Sequence, residues 1–155
     1  MKHYIGTYEC KADSKGRIMI PMPLKKQLAK NLKEGFVIKR AVFNSCLELY
    51  TFYEWSLLME KVNSLNRFNK KNNDFVRRFT AGVKLVDIDM SGRLLIPKDL
   101  FKHAKIDKEV VISSVVNILE IWDKTLYEKS INEATVDFGF LAEDVMGDKN
   151  GTVIS

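Results

Sequence analysis

The fold is decided by a nine-residue segment that occurs twice, as DSKGRIMIP at residues 13–21 and as DMSGRLLIP at residues 89–97. The second copy begins 76 residues after the first, and Gly6 has a counterpart at the same spacing in Gly82. The likeness therefore extends beyond the segment itself. Repetition at a fixed spacing indicates that the chain is one module written twice.

Each copy predicts the same hairpin. Residues 4–10 and 82–88 are rich in β-forming side chains, a glycine turn follows, and the chain returns through residues 18–20 and 94–96. A proline closes each returning strand, because it cannot donate a hydrogen bond to a ladder. The pattern predicts that the two strands beside each turn pair with one another.

Helices and two further strands complete each copy. Amphipathic helices are expected after the prolines, with these residues facing inward: Leu24, Leu28 and Leu32, then Leu100, Phe101 and Ala104. Further strands are expected at residues 36–41, 46–50, 110–114 and 118–122. There LELY in the first copy corresponds to LEIW in the second at a spacing of 72 residues, so the second copy has lost residues in a loop.

A second helix closes each copy. Thr51 and Glu54 have the spacing of a capping box, and Asp123 can cap the corresponding helix. The expected inward stripes are Trp55, Leu58, Met59 and Val62 in the first helix and Tyr127, Ile131 and Ala134 in the second. Their aromatic side chains are interpreted as core residues rather than ligand contacts.

The sequence thus predicts an α+β fold of two tandem, pseudo-symmetric hairpin and helix modules. The first module spans residues 1–63 and the second spans residues 81–137. Residues 64–80 are interpreted as a basic linker with a bridging helix. Residues 138–155 have no counterpart in the first copy and are expected to form a flexible tail.

Composition limits the class of protein. With 155 residues, 46% hydrophobic and 29% charged, the chain has the composition of one globular domain. It contains no apolar run long enough for a membrane span and begins without a signal-peptide pattern, so a cytoplasmic location is expected.

Cys10 and Cys46 lie far apart, and His3 and His103 are isolated. The sequence therefore predicts buried free thiols, with no metal, cofactor or small-molecule substrate.

Positive charge is concentrated in the first half of the chain. Residues 1–75 contain 14 Lys or Arg against 7 Asp or Glu, whereas residues 76–155 contain 11 against 13. DNA is the simplest partner for such a surface, because each neutralised phosphate releases counterions. A solvated basic surface that only aids solubility is the alternative, and charge alone favours that alternative.

The positions of the repeated turn have separable roles. Gly16 and Gly92 can adopt the positive φ that a tight turn requires. Asp13 and Asp89 are short acceptors that can hold the backbone N–H groups of the turn. These four residues are therefore assigned structural roles.

The arginines of the turn have two interpretations. Arg17 and Arg93 each follow the aspartate by four residues, so an ion pair across the turn is one explanation. The other is contact with DNA, since a guanidinium can make two hydrogen bonds to a phosphate or to a guanine edge. Lys11 and Lys15 add charge beside the first arginine, whereas Ser91 stands where the second turn would have a lysine. The first turn is therefore ranked above the second for DNA binding.

The twin Asp-x-x-x-Arg motifs are accompanied by further signatures: CLELY at residues 46–50, EW at 54–55, KEVVI at 108–112 and EIWD at 120–123. Taken together, these segments make the chain resemble the MraZ family of bacterial regulators over nearly its whole length. The resemblance implies two swapped-hairpin modules of the AbrB type that form one small double-psi-like barrel with flanking helices.

The resemblance also implies a function. Members of this family bind double-stranded DNA at short direct repeats upstream of the division and cell-wall gene cluster, including their own gene, and assemble as ring-shaped homo-oligomers. The arginine of their motif is tied to DNA binding, a role that carries over to Arg17 and Arg93. An association with the nucleoid is expected from this role.

Two other classes of function stay open. A ring-forming scaffold or protein-interaction module with only non-specific DNA affinity would share the same basic surface. An enzyme is disfavoured, because the sequence has no nucleophile elbow, phosphate loop, His pair or metal-ligand spacing, and no residue is assigned a catalytic role.

Overall fold

A computed structural model describes residues 3–133 and 137–147. The strands are β1 Thr7–Lys11, β2 Arg17–Met19, β3 Phe36–Arg40, β4 Leu47–Thr51, β5 Lys84–Val86, β6 Arg93–Leu95, β7 Glu109–Val115 and β8 Ile118–Asp123. The helices are α1 Met22–Leu28, α2 Phe52–Asn63, α3 Lys70–Phe79, α4 Lys98–His103, α5 Lys124–Asn132 and α6 Phe138–Met146, and a 3₁₀ turn Ala29–Asn31 follows α1. The α+β class predicted from the sequence is confirmed.

The strands form a six-stranded antiparallel sheet and a separate two-stranded ribbon. The order in the sheet is β1-β7-β8-β4-β3-β5, and the ribbon consists of β2 and β6. The equivalent strands β4 and β8 pair at the centre. At the edges β1 pairs with β7 and β5 pairs with β3, so each edge strand lies on a strand of the other copy. The two copies have exchanged their first strands.

The predicted pairing within each hairpin was wrong. Beside the turns, only single bridges join the two arms, between Ala12 and Ile18 and between Ile88 and Leu94. The returning strands then pair with each other, with Ile18 opposite Leu94. Packing accounts for the difference, because this pairing buries both of these side chains completely.

Both copies contribute to one core. The ribbon, α1 and α4 supply apolar side chains that form a single buried cluster with residues of the large sheet. The predicted inward residues Leu24, Leu28, Leu100 and Ala104 are buried, and Leu32 and Phe101 pack against the same cluster while partly exposed. Since the copies share a core, neither can bury its apolar surface alone.

A second, smaller cluster contains Cys46, Val111 and Trp122, against which Leu126 and Tyr127 of α5 pack. The expected helix caps are formed, since Thr51 Oγ1 accepts from the Glu54 N–H and Asp123 Oδ2 accepts from the Leu126 N–H.

In α2, Val62 is buried and Trp55, Leu58 and Met59 are half-buried. Ile131 was wrongly predicted to face inward. It is 64% exposed, because α5 makes its buried contacts through its first turn. Ala134 lies outside the described residues.

The connecting and terminal segments contain more helix than expected. Helix α3 begins at Lys70 because the side chain of Asn69 accepts the N–H groups of Lys71 and Asn72. Residues 138–146, expected in a flexible tail, form α6, whose first turn is capped by the side chain of Asp137. No helix in the described part of the chain is both long and apolar enough to cross a bilayer.

Candidate nucleic-acid interface

The ribbon of β2 and β6 has a buried face and an exposed face. Side chains alternate along a strand, so the four neighbours of Ile18 and Leu94 point away from the core. These four are Arg17, Met19, Arg93 and Leu95. In the ladder, Arg17 lies opposite Leu95 and Met19 opposite Arg93. The two arginines are therefore diagonal neighbours, whose Cα atoms such a register separates by roughly 7–8 Å.

Asp13 organises the first turn and also holds its arginine. One carboxylate oxygen, Oδ1, accepts the N–H groups of Lys15 and Arg17, both at 2.9 Å. The other, Oδ2, accepts Arg17 Nε at 2.7 Å. The ion pair expected from the spacing is therefore present in this turn.

The second turn repeats this geometry. Asp89 Oδ1 accepts the N–H groups of Ser91 and Arg93 at 2.9 Å, and Oδ2 accepts Arg93 Nε at 3.2 Å. The hydrogen bond from the arginine backbone is the largest cause that lowers the pKa of each aspartate, with the guanidinium contributing further. Both carboxylates consequently remain charged at neutral pH and keep the turns closed.

The ion pairs leave part of each guanidinium available. Arg17 and Arg93 donate to their aspartates through Nε, and among the described residues no acceptor bonds their Nη groups. Their side chains are about a third exposed, at 32% and 36%. The structural and functional interpretations are thus compatible, because the aspartate orients the arginine without occupying its outer edge.

The two turns are also bonded to each other's strands. Ile20 N–H donates to the Gly92 carbonyl at 2.8 Å, and Ile96 N–H donates to the Gly16 carbonyl at 3.0 Å. Both glycines have a φ of +83°, a conformation that residues with a side chain rarely adopt. These bonds fix both turns, and the arginines beside them, in one rigid unit.

The structure adds a lysine that sequence reasoning missed. A Cβ atom on Gly92 would lie 3.3 Å from Lys25 Nζ, so the amine of α1 lies over the second turn. The equivalent place over the first turn is taken by the ring of Phe101. Lys25 therefore supplies the charge that Ser91 does not. The signal in the sequence is the internal repeat, because Lys25 and Phe101 are equivalent positions and each lies over the turn of the opposite copy.

The other two lysines assigned from the sequence lie in different surroundings. Lys15 is exposed in the first turn, beside Arg17. Lys11 is at the end of β1, directly opposite Glu109 of β7. A carboxylate directly opposite on the neighbouring strand weakens the positive potential at Lys11.

The cysteines lie in packed surroundings, Cys10 against the main core cluster and Cys46 within the smaller one. Both are free, Cys46 buried and Cys10 partly buried. Burial raises the pKa of Cys10 to about 11, and burial together with Glu120 and Glu48 raises that of Cys46 to about 12. Both thiols are therefore protonated at neutral pH. Within residues 3–133 and 137–147, no three His, Cys, Asp or Glu side chains cluster as a metal site would require.

Comparison with known proteins agrees with the duplicated architecture. The family model described as "MraZ protein, putative antitoxin-like" matches residues 4–78 and, separately, residues 79–145. A relative from Flavobacterium psychrophilum is 63% identical over 150 residues, which covers 97% of this chain and 96% of the relative. One from Christiangramia forsetii is 63% identical over 147 residues, or 95% of each chain.

A more distant relative, from Clostridium tetani, is 38% identical over 140 residues, which is 90% of this chain and 94% of the relative. All three relatives bear the name Transcriptional regulator MraZ. The resemblance noted in the sequence is confirmed at both copies of the turn. This chain, whose two copies exchange their first strands and whose ribbon carries an arginine from each copy, belongs to the MraZ family.

Proposed function

We propose that this protein is a sequence-specific DNA-binding regulator of transcription whose ribbon reads the major groove. One observation carries the proposal: Arg17 and Arg93 project from the outer face of the ribbon with their Nε groups held and their Nη groups available. The major groove of B-DNA, about 12 Å wide, admits a two-stranded β-ribbon. A guanidinium held in this way needs little further ordering to bond a guanine edge.

The residues of the ribbon divide into two kinds of contact. The arginines bond base edges, while Lys15 and Lys25 neutralise phosphates on either side. Met19 and Leu95, each 53% exposed between the arginines, offer apolar contact to thymine methyl groups. Charged and apolar side chains on one narrow surface thus provide both affinity and sequence preference.

Membership of the family supports the finer parts of the proposal. The targets are short direct repeats upstream of the division and cell-wall gene cluster, including the protein's own gene. The fold is the swapped-hairpin barrel of the AbrB type, and the subunits assemble head to tail into a closed ring. Repeated ribbons on a ring suit repeated DNA boxes, because binding one box raises the effective concentration at the next. The protein acts on the chromosome in the cytoplasm and catalyses no reaction.

A mobility-shift assay on DNA from upstream of the protein's own gene, compared with shuffled DNA of equal length, tests this function. Arg17→Ala and Arg93→Ala are each expected to lose the specific shift while the oligomer keeps its size. Arg77→Ala is the matched control, because Arg77 is also an exposed arginine paired with an aspartate, Asp74, but lies on α3. Binding by Arg17→Ala equal to that of the wild type would contradict the assignment.

A scaffold is the second candidate, favoured by one observation. Helix α6 exposes five large apolar side chains, and a contiguous exposed apolar surface is typical of a site that another protein covers. They are Phe138, Phe140, Leu141, Val145 and Met146. Equal binding of the upstream and shuffled DNA by the wild type would support the scaffold over the regulator.

A further inference from the structure

A groove beside α3 has a composition that the DNA-binding ribbon does not explain. Its volume is about 650 Å³, within the range of small-molecule sites. It lies between α3, the end of β3 with the following turn, and α4. Its lining includes Arg40, Lys71, Phe75, Arg78, Phe79 and His103.

The groove contains cations that no carboxylate neutralises. Asp74 is the one acidic side chain in its lining, and it is bonded to Lys70 at 3.2 Å and to Arg77 at 3.1 Å. Among the described residues, Arg40, Lys71 and Arg78 have no acidic partner within ion-pair distance. The Nε of Arg40 is buried beside Gly82 without a hydrogen-bond partner, so it is the outer part of this guanidinium that lines the groove. The three cations, one from β3 and two from α3, are suited to an anion.

The groove also contains an aromatic platform. Phe75 and Phe79 are stacked with their centroids 5.2 Å apart and their planes at 24°. The amine of Lys39, whose side chain is 1% exposed, lies 4.4 Å from the Phe79 centroid and fixes that ring from the interior. Phe75 is 47% exposed. One ring of the stack is therefore held by the core, while the other presents apolar surface to the groove.

His103 adds a polar group that does not carry charge at neutral pH. Burial is the largest cause that lowers its pKa, and Arg40 and Lys105 lower it further. A neutral imidazole can both donate and accept a hydrogen bond. The groove thus combines cations, an aromatic surface and a neutral donor and acceptor.

We propose that this groove binds a nucleoside phosphate, with the base on Phe75 and the phosphates between Arg40, Lys71 and Arg78. The stacking surface and the unpaired cations match the two parts of such a ligand, since every base has a π-face and every phosphate is an anion. The ligand is either a free nucleotide or an unpaired nucleotide in a single strand. The site shares no residue with the ribbon, so it does not depend on the function proposed above.

Calorimetric titration of the full-length protein at low salt tests the site with three probes: ATP, inorganic triphosphate and the single-stranded pentamer dT5. Phe75→Ala is expected to weaken ATP binding roughly 5- to 150-fold, the range for loss of one stacked base, and to leave triphosphate binding unchanged. Arg78→Gln is expected to weaken both ATP and triphosphate about tenfold or more. If ATP binds more tightly than dT5, the ligand is a free nucleotide. If dT5 binds more tightly than ATP, the ligand is a nucleotide in a single strand.

Two control variants match these changes in kind. Phe68→Ala removes a fully exposed ring outside the groove, and Arg67→Gln removes an exposed arginine that is bonded to Asn73 and to no residue of the groove lining. Both are expected to bind the probes as the wild type does. The proposal would be overturned if the wild type bound neither ATP nor dT5. It would also be overturned if Phe75→Ala bound these probes as tightly as the wild type does. Loss of the oligomer in Phe75→Ala, with no probe bound by the wild type, would instead assign the groove to contact between subunits.

Discussion

Replacement of Lys25 by Gln is expected to remove one of the four cations that the structure places at the ribbon: Lys15, Arg17, Lys25 and Arg93. Two of them, Lys15 and Lys25, are the ones proposed to contact phosphates. If each neutralises one phosphate, log K should fall with log salt with a slope of about −1.8 for the ribbon of one subunit. Affinity then drops about 12-fold between 50 and 200 mM salt. Without Lys25 the slope becomes about −0.9 and the drop about 3.5-fold.

Fluorescence anisotropy with a short duplex that carries one DNA box, measured at four or more salt concentrations, gives this slope. Lys26→Gln is the matched control, because Lys26 is an exposed neighbour on α1, whereas Lys25 lies over Gly92. The control is expected to keep the slope of the wild type. The reasoning is refuted if Lys25→Gln has the wild-type slope, or if both variants lower it equally.

Three further outcomes follow from the packing and can be measured on the free protein. Lys39→Met should lower the free energy of unfolding in urea by about 3 kcal/mol, because it leaves Glu48 without its buried cation, and added Glu48→Gln should restore part of the loss. Gly16→Ala should cost about 1–3 kcal/mol through its φ of +83°, whereas Lys15→Ala in the same turn should change stability by less than about 0.5 kcal/mol. With its pKa raised to about 12, Cys46 should carry roughly a thousandfold less thiolate at pH 8 than in the unfolded chain, so rapid thiol titration of the native protein would contradict its burial.

The chemistry of the turn could be predicted because it is local. Asp13 reaches backbone groups only two and four residues away, and the positive φ of Gly16 depends on the turn alone. The same holds for the helix caps, where Thr51 bonds a backbone group three residues along. The partner of β2 could not be predicted from local pattern, because any strand with an alternating apolar face satisfies the same requirement. Helix α6 was missed since its cap, Asp137, precedes a short segment without a counterpart in the first copy.

The sequence by itself determined the duplication, the two Asp-x-x-x-Arg turns, the burial of the main apolar stripes and the concentration of charge in the first half. Only the tertiary structure decided that the returning strands pair across the copies, which places Arg17 and Arg93 on one surface and brings Lys25 over the second turn. The physical reason is the range of the interactions. Turns and caps are closed by hydrogen bonds between near neighbours, whereas the exchanged strands are selected by burial of Ile18 and Leu94 in a core to which both copies contribute.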